Sequence, residues 1–459
     1  MKRFLFIFLP LVLAAAGLAA LPYWFGLETE ATYRQVARRL TNTALIQHIE
    51  TRVVRGWLRS RAVTRARLRG LGILVTVEDR IQHGPLPVDQ LLGGGPDLTP
   101  VLARIHTRIQ VQNRDGVHIL PPFEATTVVN MDGGGKTRVV AGPFKSRRRS
   151  GDILETEGFA GTVRFRPGLS RIISAFGMPD LTLSTRAGVV TIQGFEARGD
   201  VYDGFSGFSV GEIALGAETL RFALAEGEAH PLGLGGLRLR LSVGERKERV
   251  VTTLDLAAGK VHLTPKQPLG PLQFTARVEG LDPAVLNRLR ERLTREKRKP
   301  GAPFGLPWLD LLAPLSRAAP LVTVSRLTLG GPEGDLSAKA KLRLDGRRVD
   351  LRARPDRWTE ALEGEAQVIL PRELVPALVW GQVKLELAVL AARRAIPGLP
   401  AAAVEKVVAA AVAKRLPDWP RRHYFVRESG YYRLDVSQKQ GRLLVNGEAL
   451  PPEGAGPAQ

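Results

Sequence analysis

Segments in which apolar and polar residues alternate recur along the chain, and this period of two constrains the fold more than any other feature of the sequence. Successive side chains of a β-strand point to opposite faces of a sheet. The 48 glycines and 32 prolines of the 459-residue chain separate these segments as turn residues do. The pattern predicts antiparallel meanders with one packed and one wet face. The segments are Leu71–Glu78, Thr162–Arg166, Leu181–Ile192, Leu237–Val243, Val322–Leu329, Leu336–Leu344 and Tyr432–Val445.

A stretch in the first part of the chain carries basic residues at alternate positions. Its odd positions hold five arginines, whereas its even positions, from Ser60 to Leu68, hold small or apolar residues. In a strand this order places all five guanidinium groups on one side. Two interpretations are open: a solvated strand face balanced by acids on neighbouring strands, or a stripe that contacts an anionic surface. The five arginines are Arg59, Arg61, Arg65, Arg67 and Arg69.

The N-terminal residues predict a single membrane span. Two basic residues precede Phe4–Phe25, an uncharged run of about 22 residues, which is long enough to cross the hydrocarbon core of a bilayer. Tyr23 and Trp24 close the run, as interfacial aromatic residues do. A cleavable signal peptide is the alternative, because the alanines at 14–16 resemble a cleavage site. We favour an uncleaved anchor, we expect no other apolar run of spanning length, and both interpretations export the rest of the chain.

The charge balance favours anionic partners. Lys+Arg 66 against Asp+Glu 45 gives a net charge of +21, which suits phospholipid headgroups, lipopolysaccharide phosphates, nucleic acid or acidic protein. Charge alone does not choose among these partners, but we expect a membrane, anionic lipid or an acidic envelope protein and no nucleic acid. Hydrophobic residues at 44% and charged residues at 24% exclude a disordered chain and a polytopic membrane protein. Because cysteine is absent, disulfides and thiolate metal sites are excluded as well.

The expected fold class is α+β and β-dominated: an N-terminal transmembrane helix, then long antiparallel meandering sheets with a few short packed helices. Apolar residues three to five positions apart predict a helix at Thr32–Glu50. Asp282 followed by Pro283 predicts the start of another helix, since these residues suit the N-cap and the first helical position. The expected regions are a membrane anchor at 1–27, an N-terminal helix and first β-region at 28–150, a central β-region at 151–300, a C-terminal β-region at 301–450 with a helix at 401–416, and a tail at 451–459.

One motif invites a catalytic interpretation. Gly207–Gly211 matches the nucleophile-elbow pattern with Ser209 at its centre, but alternating residues follow it where the pattern needs a helix. A hydrolase would use His230 or His262 as the base and Asp255 as its partner. We keep a serine hydrolase that uses Ser209 only as the least favoured alternative.

No other pattern supports chemistry. Gly133–Thr137 resembles the end of a phosphate-binding loop, but it reads as a hairpin turn. The seven histidines contain no pair at metal-ligand spacing on a predicted helix. We therefore predict no catalytic residue, no cofactor and no metal site.

Three short motifs follow the N-terminal anchor. They are Arg55-Gly56-Trp57-Leu58-Arg59-Ser60, His83-Gly84-Pro85-Leu86-Pro87 and Gly441-Arg442-Leu443-Leu444-Val445-Asn446-Gly447. With these motifs in this order, the chain resembles the YdgA-like family of bacterial inner-membrane proteins of unknown function over nearly its whole length. Leu58 stands where that family often has an aromatic residue. The resemblance implies a periplasmic region on a membrane anchor and supplies no catalytic residue.

The residues of these motifs are expected to have structural roles. Gly56 before Trp57 predicts a close approach or bulge that points the indole into the core. Ser60 is expected on the packed side of the arginine-bearing strand. Turns are expected at the other two motifs, with positive φ in the second. These turn residues are His83, Gly84 and Pro85, and then Asn446 and Gly447.

The sequence thus favours a non-enzymatic envelope protein that is anchored in the bacterial inner membrane and holds its bulk in the periplasm. Its β-rich surface would handle lipid or support envelope assembly, with the membrane, anionic lipid or an acidic envelope protein as partners. The alternative is a protein-interaction scaffold or homodimer in which exposed edge strands pair.

Overall fold

The computed structural model describes residues 33, 46–68, 73–84, 100–113, 118–147, 151–185, 187–246, 248–265, 268–288, 315–347, 349, 360–392, 400–439 and 441–449. The expected span Phe4–Phe25 lies outside these residues, as do Arg69, Pro85 and the tail at 451–459. In the described part, antiparallel strands dominate and helices are few, as the alternating segments predict.

The chain divides into two compact units, each assembled from separate stretches of sequence. Unit 1 takes the described residues of Met1–Phe144 and Gly158–Phe176. Unit 2 takes those of Lys145–Glu157, Gly177–Leu289 and Gly305–Gln459. The chain therefore contributes residues 145–157 to unit 2 before it returns to unit 1.

The described chain up to residue 185 is almost entirely strand. Its strands are β1 (Ile46–Arg55), β2 (Arg59–Leu68), β3 (Ile73–His83), β4 (Val101–Gln112), β5 (His118–Asn130), β6 (Gly135–Ala141), β7 (Phe144–Arg147), β8 (Ile153–Thr156), β9 (Phe159–Phe165) and β10 (Arg171–Thr185). Strands β1 to β6 and β9 lie in unit 1, β8 lies in unit 2, and β7 and β10 contribute residues to both. In unit 1 each strand from β1 to β5 pairs with the next strand in the chain, and β6 then pairs with β9.

The predicted helix Thr32–Glu50 is wrong at its C-terminal end. Tyr33 is helical, but residues 46–50 already belong to β1. Several residues of β1 are branched at Cβ, which favours the extended backbone. The strand also pairs with β2 from Ile46 opposite Leu68 to the far end of the hairpin. Tertiary pairing therefore overrides the helical spacing of the apolar residues.

Small side chains line the packed face of the unit 1 sheet. Ala62, Ile81 and Ala103 are buried there, and Tyr33 and Val53 pack against them. Because alanine side chains are short, the Tyr33 ring reaches between them to polar groups of the same face. The even-numbered residues of the arginine-bearing segment supply this surface, as the alternation predicts.

Unit 2 contains longer strands; β11, for example, has 16 residues. The remaining strands are β11 (Gly188–Asp203), β12 (Ser209–Ala223), β13 (Leu232–Arg246), β14 (Arg249–Ala258), β15 (Lys260–His262), β16 (Leu272–Leu281), β17 (Leu321–Leu329), β18 (Leu336–Leu344), β19 (Leu362–Pro371), β20 (Val426–Arg427), β21 (Tyr431–Lys439), β22 (Arg442–Val445) and β23 (Glu448–Ala449). Pairing runs β11-β12-β13-β14-β16-β17-β18-β19-β21-β22-β23. Strand β15 adds to β13, and β20 adds to β21.

The helices of unit 2 form its main core with the sheet. They are α1 (Val375–Ala392), α2 (Ala401–Arg415) and the short α3 (Trp419–Arg422). Buried valines four positions apart, Val379 and Val383 on α1 and Val404 and Val408 on α2, pack together with Leu370 of β19. A further helical turn at 283–288 starts at Asp282, whose Oδ1 accepts the N–H of Ala284 at 2.9 Å.

One helix of the described residues is long and apolar enough to cross a membrane, contrary to the expectation that no second such run exists. The stretch Arg372–Ala391 has a mean hydropathy of 1.5, but half of it is buried inside the protein. Lys384 in its middle forms a buried ion pair with Glu228. These contacts identify the stretch as a core helix of unit 2.

Candidate functional site

Two of the three sequence motifs meet at one end of the unit 1 sheet. Ser60 lies at the start of β2 and His83 at the end of β3, with Ser60 Oγ 2.8 Å from His83 Nε2. The backbone N–H of His83 donates to the carbonyl of Leu58 at 3.0 Å, and the N–H of Gly84 donates to the carbonyl of Leu102 at 2.9 Å. These three hydrogen bonds hold the β1–β2 turn against the ends of β3 and β4.

The Ser60–His83 pair has the spacing of a nucleophile and its base, but its surroundings do not suit catalysis. Both side chains are buried, so the hydroxyl is closed to a substrate. Burial lowers the pKa of His83, and the positive charge of Arg55 lowers it further. Among the described residues, His83 Nδ1 has no hydrogen-bond partner, whereas a catalytic histidine is oriented by a third group. We therefore assign the pair a structural role.

Close backbone contacts require glycine at both motif positions. A Cβ atom on Gly56 would lie 2.4 Å from the carbonyl oxygen of Arg59. A Cβ atom on Gly84 would lie 1.7 Å from the carbonyl oxygen of Val101. Any side chain there would push the strand ends apart, so the close approach expected at Gly56 is present and β3 turns at Gly84.

The indole of Trp57 points to solvent, contrary to the expectation that it fills the core. Trp57 is 59% exposed, Leu58 is 42% exposed and Val54 is 71% exposed. Trp57 and Leu58 form the tip of the β1–β2 hairpin, which we call the hairpin tip. The alternation that assigns side chains to a face ends with the strand at Gly56, and the tip has no packed face to turn towards.

The arginines of β2 lie on its solvent side, as the alternation predicts. Arg59, Arg61, Arg65 and Arg67 are exposed, and the side chains between them from Ser60 to Ala66 are buried except for the partly buried residue 63. These four guanidinium groups could not be buried without partners, because each such charge would cost several kcal/mol. The arginine stripe is therefore exposed to solvent. Whether its positive charge is balanced depends on the residues of the neighbouring strands.

Strand pairing extends this surface far beyond β2. Residues directly opposite each other in an antiparallel pair share a face. The strand register therefore places residues of β1, β3, β4, β6 and β9 on the same face as the β2 arginines. Among the residues that the structure describes, this face holds three acids, Glu50, Glu78 and Glu124. The exposed cations, which we call the cationic face, are Arg52, Arg59, Arg61, Arg65, Arg67, Arg80, Arg108, Lys136, Arg138 and Arg164.

Neighbouring strands of unit 1 place like charges opposite each other. Arg61 faces Arg80 between β2 and β3, and Lys136 faces Arg164 between β6 and β9. Directly opposed like charges destabilise a sheet. Acids balance part of this face. Arg52 Nε and Arg65 Nη1 lie 3.2 Å and 3.0 Å from oxygens of the Glu50 carboxylate. Arg108 lies opposite both Glu78 and Glu124. Among the described residues, however, the exposed cations of the face clearly outnumber these acids. Acids on adjacent strands therefore do not neutralise the face.

Unit 2 places several of its basic residues beside acids. Across β18 and β19, Lys341 faces Glu365 and Arg343 faces Glu363. Arg240 Nε on β13 lies 3.1 Å from an oxygen of the Glu212 carboxylate on β12. Unit 2 also opposes two cations, Arg246 and Arg249, beside the β13–β14 turn, so the difference between the two sheets is one of degree.

A buried carboxyl group lies on the packed side of unit 1. Asp79 accepts hydrogen bonds from the Tyr33 hydroxyl and from the Thr107 hydroxyl, and Tyr33 also contacts Thr64 at 3.1 Å. Burial raises the pKa of Asp79, and the hydrogen bonds from the two hydroxyls oppose that rise. Burial and the nearby Asp79 carboxylate raise the pKa of Tyr33. The cluster ties the helical residue Tyr33 to β3, and no motif in the sequence signalled it.

The residues of the hydrolase alternative do not come together. Ser209 is the first residue of β12, not the apex of a strand-to-helix turn. His262 lies beside Gly233, which faces Arg221 at the other end of β12. Arg221 is 12 positions from Ser209, which is about 40 Å along a strand. His230 lies in the β12–β13 loop at that same far end, where its Nε2 is 3.4 Å from Glu405. Asp255 lies between the two ends, two strands away, so neither candidate histidine lies beside Ser209.

The glycine-rich loop and the histidines show no ligand site. Gly133 and Gly134 form the β5–β6 turn, in which the N–H of Asn130 donates to the Gly134 carbonyl at 2.7 Å. This is the hairpin turn that the sequence predicts, not a phosphate-binding loop. No group of three histidine, aspartate or glutamate side chains in the described chain is arranged to hold a metal ion.

The third motif forms a turn in unit 2. Asn446 has a φ of 52° and Gly447 a φ of 86°, as expected of the turn between β22 and β23. Asn446 Oδ1 accepts the N–H of Asp435 at 2.9 Å, and its Nδ2 donates to the carbonyl of Tyr424. The asparagine therefore links two segments of unit 2 and has a structural role.

Unit 2 also carries an apolar groove beside α1. Its volume is about 640 Å³. Leu385, Val389 and Leu390 of α1 remain exposed along it. The wall opposite α1 is formed by Leu232 and Leu263. The sequence did not indicate this groove, because its two sides come from segments more than a hundred residues apart.

Comparison with known proteins identifies a family. A model of bacterial proteins of unknown function, DUF945, matches residues 1–453. The chain belongs to this family. No curated protein and no solved structure matches it. Membership in the DUF945 family supports the bacterial origin that the resemblance implies, and the narrower YdgA-like assignment stays a prediction.

Proposed function

We propose that this member of the DUF945 family is a non-enzymatic protein of the cell envelope that holds the cationic face of unit 1 against an anionic phospholipid surface. The observation that carries the proposal is the opposition of like charges across strands, Arg61 to Arg80 and Lys136 to Arg164. Such pairs cost stability in the isolated sheet. An anionic surface offsets that cost, because it offers negative charge to every cation on the face at once.

The N-terminal sequence supports the inner membrane as the place of this contact. Phe4–Phe25 has the length and composition of a membrane span, and β1 begins about 20 residues after it. Tethering keeps unit 1 near the bilayer, so the surface contact needs only modest affinity. In this proposal the span anchors the chain and the remainder lies in the periplasm.

A distance measurement in reconstituted vesicles tests the proposal. The chain has no cysteine, so Val140→Cys in the full-length protein gives one labelling site. Val140 is exposed and shares its row across the sheet with Glu124 and Ala160 of the same face. We expect strong energy transfer from a dye at position 140 to a headgroup acceptor in vesicles with phosphatidylglycerol. Transfer should weaken in pure phosphatidylcholine and in high salt. Equal transfer in all three conditions would contradict the proposal.

A second candidate function is self-association through a sheet edge. In the described part of the chain, β1 pairs with β2 alone, so its other edge is open to strand addition. Analytical ultracentrifugation of the full chain in detergent tests this candidate. A dimer that is lost when Ile49→Pro removes a backbone donor from β1 would support it, and a monomer at all concentrations would exclude it.

A further inference from the structure

The hairpin tip presents an apolar surface on a firmly held turn. Val54 and Trp57 are the two most exposed large apolar residues in the described part of unit 1, and Leu58 beside them is also exposed. The carbonyl of Leu58 is fixed by the N–H of His83, and Gly56 allows the tight return of the chain. The tip is therefore an ordered projection of the sheet and not a collapsed loop.

Exposed arginines surround this apolar tip. Arg52 and Arg55 precede it, and Arg59 and Arg61 follow it, all with exposed side chains. Tryptophan favours the interfacial zone of a bilayer, where its ring is buried and its N–H meets polar groups. Arginines beside it attract anionic headgroups. Aromatic, aliphatic and basic side chains together are the composition of segments that lie in a membrane interface.

Another apolar tip in the same chain has the opposite charge setting. Phe205 at the β11–β12 turn is fully exposed, but Asp203 and Glu245 border it. The backbone N–H groups of Phe205 and Ser206 donate to Glu245, and the Ser206 hydroxyl lowers the pKa of that carboxyl group. An anionic bilayer would repel this tip. Exposure of an aromatic residue is therefore not special to the hairpin tip, whereas its charge setting is.

We propose that Trp57 and Leu58 enter the interfacial zone of an anionic phospholipid bilayer and act as a second membrane contact. This inference rests on the proposed function, since the cationic face brings the hairpin tip to the surface. The Gly56 turn and the Ser60–His83 contact hold the hairpin tip in place, so these motif residues act together in positioning Trp57 and Leu58. Met131, 47% exposed at the β5–β6 turn, lies at the same end of the strands.

An environment-sensitive dye on the full-length, reconstituted protein tests the inference. The dye is placed at Leu58→Cys and, as a matched control, at Phe205→Cys, in vesicles of phosphatidylcholine with phosphatidylglycerol. At position 58 we expect a shift of emission to shorter wavelength and quenching by nitroxides on the acyl chains. At position 205 we expect neither. Adding Trp57→Ala should reduce the quenching at position 58, whereas Trp57→Tyr should retain most of it.

The outcomes separate this inference from the function on which it rests. A water-exposed dye at position 58 together with strong energy transfer from position 140 would refute insertion and leave the surface contact intact. Loss of both signals would refute both. Equal quenching at positions 58 and 205 would show that exposure alone drives insertion and would overturn the charge argument. Unchanged quenching in Trp57→Ala would remove Trp57 from the inserted group.

Discussion

The buried ion pair of unit 2 allows a sharp test of how its helices are held. The side chains of Lys384 on α1 and Glu228 in the β12–β13 loop are each 1% exposed. Lys384 Nζ donates to the Glu228 carboxylate and to the His230 carbonyl, and the carboxylate also accepts the N–H of Leu224 at 2.6 Å. Every charge in this site therefore depends on its partner.

Removing one partner should cost far more than removing both. Lys384→Met leaves the Glu228 carboxylate buried without its cation, and we expect a loss of about 3–5 kcal/mol in the free energy of unfolding. Lys384→Met with Glu228→Gln leaves no buried charge, and the glutamine can still accept the backbone N–H of Leu224. We expect the double variant to lose only about 1–2 kcal/mol, largely from the His230 carbonyl that loses its donor.

Hydrogen exchange of α1 amides in the full chain measures this difference locally, without assuming that the two units unfold together. The matched control is Arg415→Gln. This change breaks the half-exposed ion pair between Arg415 of α2 and Glu386 of α1. That change should cost at most about 1 kcal/mol. If Lys384→Met lowers the free energy of α1 opening no more than the double variant does, or no more than Arg415→Gln does, the buried ion pair does not hold the helix in this way.

Three further changes test unit 1. The pKa of His83 is lowered below 6.5 in the folded protein, so the stability that neutral His83 contributes is present above about pH 6.5 and is lost as the pH falls. The urea midpoint of unfolding should therefore fall on acidification, and it should fall less in His83→Gln. The pKa of Asp79 is raised above 3.8 in the folded protein, so the stability that protonated Asp79 contributes is present below that pH and is lost as the pH rises. At pH 7, Asp79→Asn should therefore unfold at a higher urea concentration than the unmodified chain. Gly84→Ala should lower stability by about 1–3 kcal/mol or more in thermal unfolding, whereas Gly142→Ala, whose Cβ would meet nothing within 4 Å, should not.

The sequence predicts the local part of the cationic face and not its extent. Period two places Arg59, Arg61, Arg65 and Arg67 on one side of a strand, because side-chain direction depends only on the strand itself. Which residues lie opposite them depends on register, which is set by contacts between distant segments. Lys136 and the other cations beyond β2 therefore join the face only once the pairing is known.

The errors have equally specific causes. The predicted helix up to residue 50 fails because pairing with β2 outweighs helical spacing. The close approach at Gly56 predicts a buried Trp57 indole, but Trp57 lies at a hairpin tip, which has no packed face. The Ser209 pattern fits in sequence, yet a straight strand carries the serine about 40 Å from the end where His262 lies. Short motifs fix neither distance nor accessibility.

The most direct test of the central claim compares two triple variants of equal charge. One changes Arg61, Arg80 and Arg138 of the cationic face to Gln, and the other changes the acid-paired Arg240, Lys341 and Arg343 of unit 2 to Gln. Both carry the dye at Val140→Cys in the full-length, reconstituted protein. Each arginine at an anionic surface contributes about 1 kcal/mol at modest ionic strength.

Loss of three arginines from the face should therefore shift the equilibrium between surface-bound and released unit 1 by roughly a hundredfold. We expect energy transfer to headgroup acceptors to fall to its high-salt level in the cationic-face variant and to stay at the level of the unmodified chain in the unit 2 variant. Equal transfer in the two variants would contradict this expectation, because net charge and not the arrangement of the face would then govern the contact.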